Sequence, residues 1–408
     1  MSSNKRVTII DPTRRRFLQQ SFIGAGWVMA GGMLTRCGSE GDGNSAPMSN
    51  IGALGPLQDP DENGIRLPEG FTSRVIARSS EVVENSGYDW HWAPDGGAVF
   101  TTDDGGWVYV SNSEWFGDFG GGAGAVRFSA DGEIVDAYSI LRDTSLNCAG
   151  GPTPWGTWLS CEEKPDGLVW ECDPLGATAA VVRPALGVFK HEAAAIDGDN
   201  QIAYLTEDEG DGGFYRFVPD SMVDGRADLS AGELQIAEVI GGGPEGMVEW
   251  RVVPDPSANS TPTREQVASS TPFDGGEGIW YRQGVIYFST KGDNRIWAYE
   301  TSSSMLTTIY DKATSSTPIL SGVDNVTVSP AGDVLVAEDG GDMQIVALTP
   351  NGQVVPLLQV TGQDGSEITG PAFAPTLDRL YFSSQRGTSG VITGVDGITY
   401  EVSGPFFS

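Results

Sequence analysis

From about Asn85 onward, apolar and polar positions recur in one pattern. A short apolar strand meets a Gly-containing turn, a second strand ends in acidic or small polar residues, and a Gly-rich turn leads into a third strand. The clearest copies are "HEAAAIDGDNQIAYLTEDEGDGGFYRFVP", "GEGIWYRQGVIYFSTKGDNRIWAYE" and "DNVTVSPAGDVLVAEDGGDMQIVAL". Pairing the start of the first strand with the end of the second gives Trp90/Asp103, Gly150/Glu163, Glu192/Glu207, Glu277/Thr290, Asn325/Glu338 and Gly370/Ser383, five of them 13 residues apart and one 15. Six such units predict an all-β fold, a six-bladed β-propeller forming a single domain over 61–408.

In an antiparallel pair those two positions share one edge of the sheet, so twelve of them ring one mouth of the central channel. At or beside them stand Asp103, Asp104, Glu162, Glu163, Glu192, Glu207, Asp208, Glu277, Asp324, Asn325, Glu338 and Asp339. Converging carboxylates repel unless they are protonated or bridged by cations, so the pattern predicts a metal site at the mouth. Solvated turns in an acidic protein are the competing reading. The turns at the other end, such as Arg282-Gln283-Gly284, carry fewer acids and read as ordinary hairpins.

Composition sharpens this picture. The 408 residues carry 24 Lys and Arg against 55 Asp and Glu, a net charge of −31 that repels nucleic acid and anionic lipid and excludes a nucleic-acid role. Only His91 and His191 are present, so metal chemistry falls to oxygen ligands, which favour hard cations such as Ca²⁺ and Fe³⁺.

The first 45 residues read as a twin-arginine export signal. The cationic run Thr13-Arg14-Arg15-Arg16-Phe17-Leu18 precedes a Gly-interrupted apolar stretch from about Phe22 to Leu34. That stretch is too short for a stable membrane span, and nothing later is long enough either. The expected partner is therefore the twin-arginine translocation machinery, and the expected location the periplasm or the medium. Lipidation of Cys37 is disfavoured by Arg36, where a small side chain is needed. Residues 46–60 are expected to be a flexible linker, and the mature protein a monomer.

Cys161 and Cys172 flank "EEKPDGLVWE". A two-residue Asp166-Gly167 turn would set them opposite each other, so a cross-strand disulfide is expected ahead of two buried thiols. Cys148 then stands alone, either packed as a small hydrophobe or serving as a thiolate ligand. "GDFGGGAG" lacks the Lys-Ser/Thr pair of a phosphate loop and reads as a plain loop. His191 reads as a packed residue rather than a ligand, and Trp155 and Trp158 as blade-packing aromatics.

"NCAGGPTPWGTWLSCEE" resembles the signature stretch of the PhoX-type alkaline phosphatases, and "FKHEAAAIDGDNQIAYLTED", "DGGFYRFVPD", "GGEGIWYRQGVIYFSTKGD" and "DNVTVSPAGDVLVAEDGG" resemble the same family in the same order. The resemblance implies an exported phosphatase acting on small phosphoesters, with Fe³⁺ and Ca²⁺ in the channel mouth. It implies Cys148 and Glu192 as iron ligands and Glu162 with Glu163 beside them. Glu207, Asp208, Glu277, Glu338 and Asp339 would complete the iron and calcium shell, with Asp324 from the ring. Where the family tends to show R-P-E-G this chain has Gly275-Gly276-Glu277-Gly278, so the arginine for substrate phosphate is missing. Lys291 or Arg386 would restore that charge, or would only neutralise the acidic ring. Two rival readings are a Ca²⁺-dependent propeller lactonase or esterase, which would not need Cys148, and a non-catalytic surface binding module.

Overall fold

The computed structural model describes residues 47–116 and 120–408. The expected export signal, Cys37 and part of "GDFGGGAG" lie outside the described residues.

The described chain is all-β apart from short 3-10 turns, and its arrangement is propeller-like. One four-stranded meander runs Pro94–Thr101, Trp107–Ser113, Gly121–Phe128, Ile134–Thr144, and the next starts at Asn147–Pro152 and Trp158–Glu162. A nine-stranded sheet joins two further meanders, which start at His191–Asp197 and Gly276–Arg282. They meet where Gly246–Val252 pairs with Met305–Asp311. Val323–Val328 and Ile368–Phe373 open the last two sheets. The final sheet takes its outer strand, Thr72–Arg78, from the N-terminal side, so the two ends of the domain are clasped by backbone hydrogen bonds.

The opening strands of these meanders touch one another in ring order and line the centre. They are rich in Gly and Ala because their backbones approach closely. A Cβ on Gly278 would lie 2.3 Å from the Val326 nitrogen, and one on Gly96 would lie 2.5 Å from the Ala149 Cα. Larger apolar residues fill the spaces between sheets, as where Phe214 stacks on Phe288 with centroids 4.5 Å apart.

Three expectations need correction or detail. The first unit is not Trp90/Asp103: Pro94–Thr101 pairs with Trp107–Ser113, and Asp103 and Asp104 lie in the hairpin turn between them, away from the mouth. The turn is closed by Thr102 and Gly106, and Gly105 supplies its positive φ of 82°. The Cys161–Cys172 disulfide is not formed. The loop after Glu162 is longer than a two-residue turn, so Cys161 pairs with Val169 and Cys172 with Trp158. The two thiols therefore point to opposite faces of the sheet and pack in separate cores. Finally, within the stretch expected to be a linker, Ser49 bridges to Phe407 and Ile51 is fully buried, so this segment docks on the domain.

Candidate metal centre

Each of the six inner strands breaks register near its start, after the first residue in five of them and after the second in the sixth. The breaks follow Pro94, Asn147, His191, Gly276, Val323 and Thr369. A bulge turns the next side chain into the channel mouth. Those next residues are Asp95, Cys148, Glu192, Glu277, Asp324 and Gly370, five of which carry metal-ligand groups. A second tier comes from the residues just after the partner strands: Glu114, Glu163, Asp208, Lys291 and Asp339. Glu367, just before Ile368–Phe373, completes the set.

Ligand atoms converge within 4.8 Å in four overlapping groups: Asp95, Glu114 and Cys148; Cys148, Glu163 and Glu192; Glu192, Glu277 and Asp324; Asp324, Asp339 and Glu367. Shared members make them one arc around the mouth. Asp95, Cys148, Glu192, Glu277, Asp324 and Glu367 are all buried. Asn112 Nδ2 donates to the carbonyls of Cys148 (3.1 Å) and Ala149 (2.7 Å), fixing the thiol's backbone, and Gln385 Nε2 donates to Asp95 and Glu114.

The arc is electrostatically incomplete. Burial raises Glu192 well above the usual carboxylate range, and Glu277 and Glu163 push it further. Burial, then Asp95 and Glu192, raises the Cys148 thiol well above its usual range. Asp95, Glu114 and Glu367 are raised the same way. Glu192 Oε2 is buried with no hydrogen-bond partner. Glu277 Oε1 lies 3.0 Å from Lys291 Nζ without hydrogen-bond geometry. Orphaned, mutually repelling carboxylates with one thiol fit hard multivalent cations, which would satisfy the free oxygens and reverse the local charge.

Three cations rim the arc. Lys291 Nζ lies 3.0, 3.3 and 3.1 Å from Glu277, Asp324 and Asp339, so it sits among the acids rather than free of them. Arg386 donates to Glu367 at 3.0 Å and lies 3.6 Å from Asp339. Lys190, which sequence reasoning passed over, bridges Glu163 and Asp208 at 2.8 Å each. Burial works against Asp208 and Asp339, yet Lys190 and Lys291 hold them below the ordinary range.

Glu162, Glu207 and Glu338, expected as ligands, are not in the converging groups. Each ends its strand and clips the following loop. Glu162 accepts from the amides of Ser145 and Leu168, Glu207 from Gly213 N, Tyr215 Oη and Arg264, and Glu338 from Ser321 N and Gln344 N. Cys148, Glu163, Glu192, Glu277, Asp324 and Asp339 are brought together as expected, and Asp208 stands at the edge. Asp95, Glu114 and Glu367 were missed. The bulge position after an apolar residue, as in "WAPDGG", is the signal that finds Asp95. His191 is packed: its ring lies 3.6 Å from that of Phe189, and Nε2 donates to the Gly187 carbonyl at 3.0 Å.

A ring of short sheets with a carboxylate and thiol arc at one mouth defines a propeller-like protein whose mouth could hold metal ions. The family model for alkaline phosphatase PhoX matches residues 119–169, 164–305 and 298–387, and the chain belongs to that family. In fold it is similar to Pseudomonas fluorescens PhoX, solved in complex with vanadate, a transition state analogue. The TM-score is 0.69 at 17% identity, over 86% of this chain and 97% of that one. More distant likenesses are a gluconolactonase from Xanthomonas campestris (TM-score 0.45, 12% identity, 86% and 98% covered) and a protein of unknown function from Bacteroides thetaiotaomicron (0.49, 10%, 86% and 84%). No curated protein sequence matches the chain.

Proposed function

We propose that this chain is an exported, six-bladed propeller phosphatase that hydrolyses phosphomonoesters with Fe³⁺ and Ca²⁺ held in the arc. The observation that carries the reading is the continuous arc of buried carboxylates around Cys148 with oxygen atoms left unpaired. Membership of the phosphatase family supports it. Cys148, Glu163 and Glu192 would hold iron, and the oxygen-only groups around Glu277, Asp324, Asp339 and Glu367 would hold calcium. Such cations supply Lewis acidity, neutralising a phosphate dianion and making water a nucleophile at mild pH.

The chain's own residues do the rest. Lys190, Lys291 and Arg386 keep part of their side chains open to the mouth, at 27%, 33% and 20% exposure. Each can turn an N–H from its carboxylate toward an incoming phosphate oxygen. Gly275 adopts a φ of +69°, and a Cβ there would lie 3.1 Å from Asp208 and 3.7 Å from Lys291 Cβ. Lys291 thus stands beside the place from which an arginine at 275 would extend, and it takes over that charge.

The test is p-nitrophenyl phosphate turnover by metal-loaded protein exported through its own signal. Saturable hydrolysis lost in Lys291→Met supports the reading. A folded, metal-loaded protein that hydrolyses lactones or esters instead, or nothing at all, contradicts it.

A further inference from the structure

The mouth has an aromatic lip on one side. Among the described residues, Trp92 and Phe116 are the only exposed aromatic side chains, at 38% and 52%. Trp115 lies between them, its ring centroid 4.6 Å from that of Trp92 and 5.0 Å, stacked, from that of Phe116. A Cβ on Gly120 would fall 1.7 Å from Trp115 Cδ1, so Gly120 packs directly against the indole. Trp92 Nε1 donates to Ser80 Oγ, which fixes the outer ring.

This lip is continuous with the arc. Glu114, whose carboxylate joins Asp95 and Cys148, immediately precedes Trp115 and donates its amide to the Ala93 carbonyl at 3.0 Å. Ser113 Oγ donates to the Trp92 carbonyl at 2.7 Å, and Leu146 N to that of Trp115 at 2.8 Å, just before Cys148. Ala93 N donates to Gly394, which brings the exposed Val391 and Ile392 alongside. Elsewhere the rim is charged, with Lys190, Lys291 and Arg386 paired to acids. Aromatic rings left in water on one sector of a polar mouth are unfavourable unless something covers them.

We propose that Trp92, Trp115 and Phe116 form a subsite for the planar aromatic alcohol portion of a phosphomonoester whose phosphate lies at the arc. The inference rests on the phosphatase reading. A phosphate drawn to the arc leaves its organic part projecting from the mouth, and in this sector it meets ring faces. Ring faces recognise planar groups by stacking, with little demand for matched hydrogen bonds.

Binding is read by intrinsic tryptophan fluorescence and turnover by phosphate release, on the full chain, with 1-naphthyl phosphate, 1-naphthol and glycerol 2-phosphate as probes. Phe116→Ala and Trp92→Ala remove exposed rings and leave the core intact. Both variants are expected to weaken 1-naphthyl phosphate about tenfold in Kd and KM, a typical stacking loss, with glycerol 2-phosphate unchanged. 1-Naphthol carries no phosphate, so its saturable quenching, lost in Phe116→Ala, upholds the lip even where no phosphoester turns over. Turnover of glycerol 2-phosphate without naphthol binding upholds the phosphatase and overturns the lip. Equal losses for both esters, or loss of binding to neutral phospholipid vesicles with naphthyl phosphate unaffected, also overturn it.

Discussion

Lys291 holds three carboxylates with one ammonium, and burial of those acids makes the arrangement demanding. The ammonium is itself held well above its usual pKa by Asp324, Glu277 and Asp339, which outweigh the burial that works against it. Removing one partner of a fully buried ion pair costs about 3–5 kcal/mol; Lys291 is a third exposed, so solvent screening lowers the figure. In metal-free protein, Lys291→Met is expected to cost about 2 kcal/mol in urea denaturation, and added Ca²⁺ to recover most of it. A variant as stable as the parent without metal would show that the three acids are already neutral. Single residues were unevenly legible in the sequence. Cys148, Glu192, Glu277 and Asp324 sit at matching points of a repeated pattern. Lys190 and Glu367 come from loops that have no periodic partner, so only the fold brings them to the mouth.

The recurring element is an inner strand with a bulge near its start, clipped from behind by the strand that follows. Because inner backbones touch, the Gly positions are steric requirements. Gly278→Ala would drive a Cβ against Val326 N and displace the adjacent Glu277, at an expected cost of about 2 kcal/mol or more with loss of bound calcium. Unchanged stability and metal content would refute that packing argument. Glu338 gives the element a pH signature. Burial pushes its carboxyl up to about 7 despite the amides of Ser321 and Gln344, which favour the anion. A raised carboxyl contributes stability that is full below its unfolded pKa, near 4.5, and lost as pH rises through about 7. Glu338→Gln keeps one of the two acceptors and removes the titration, so the variant is expected to be less stable overall and its denaturation curves to lose this slope between about pH 4.5 and 7. An unaltered slope would place the titration elsewhere. The unit itself was readable from period and turn residues, but its register was not. The expected start points coincide with the bulge residues at Glu192, Glu277 and Gly370 but fall one residue off Asp324, two off Cys148 and five off Asp95, which is why Asp95 was passed over. Glu207 and Glu338 end their strands one residue before the mouth, which is why they were taken for ligands. The same error of register set Cys161 opposite Cys172, because the loop from Glu163 to Gly167 was read as a two-residue turn.

At the scale of the molecule, a chain of net charge −31 concentrates its buried acids at one end of a ring of sheets. The all-β class and the repeat were plain in the sequence because short strands and glycine turns leave a local pattern. The arc was legible only as a tendency, since its closure depends on strands more than two hundred residues apart, such as Pro94–Thr101 against Ile368–Phe373. Bound cations would account at once for the unpaired oxygens and the raised carboxyls, and would let so acidic a protein accept the anionic substrate proposed for it. The most direct measurement is elemental analysis of folded protein exported through its own signal, beside a Cys148→Ala variant. The account predicts near-stoichiometric iron together with calcium, with iron lost and calcium retained in the variant. Folded protein without either metal, or iron unchanged by loss of the thiol, would contradict it.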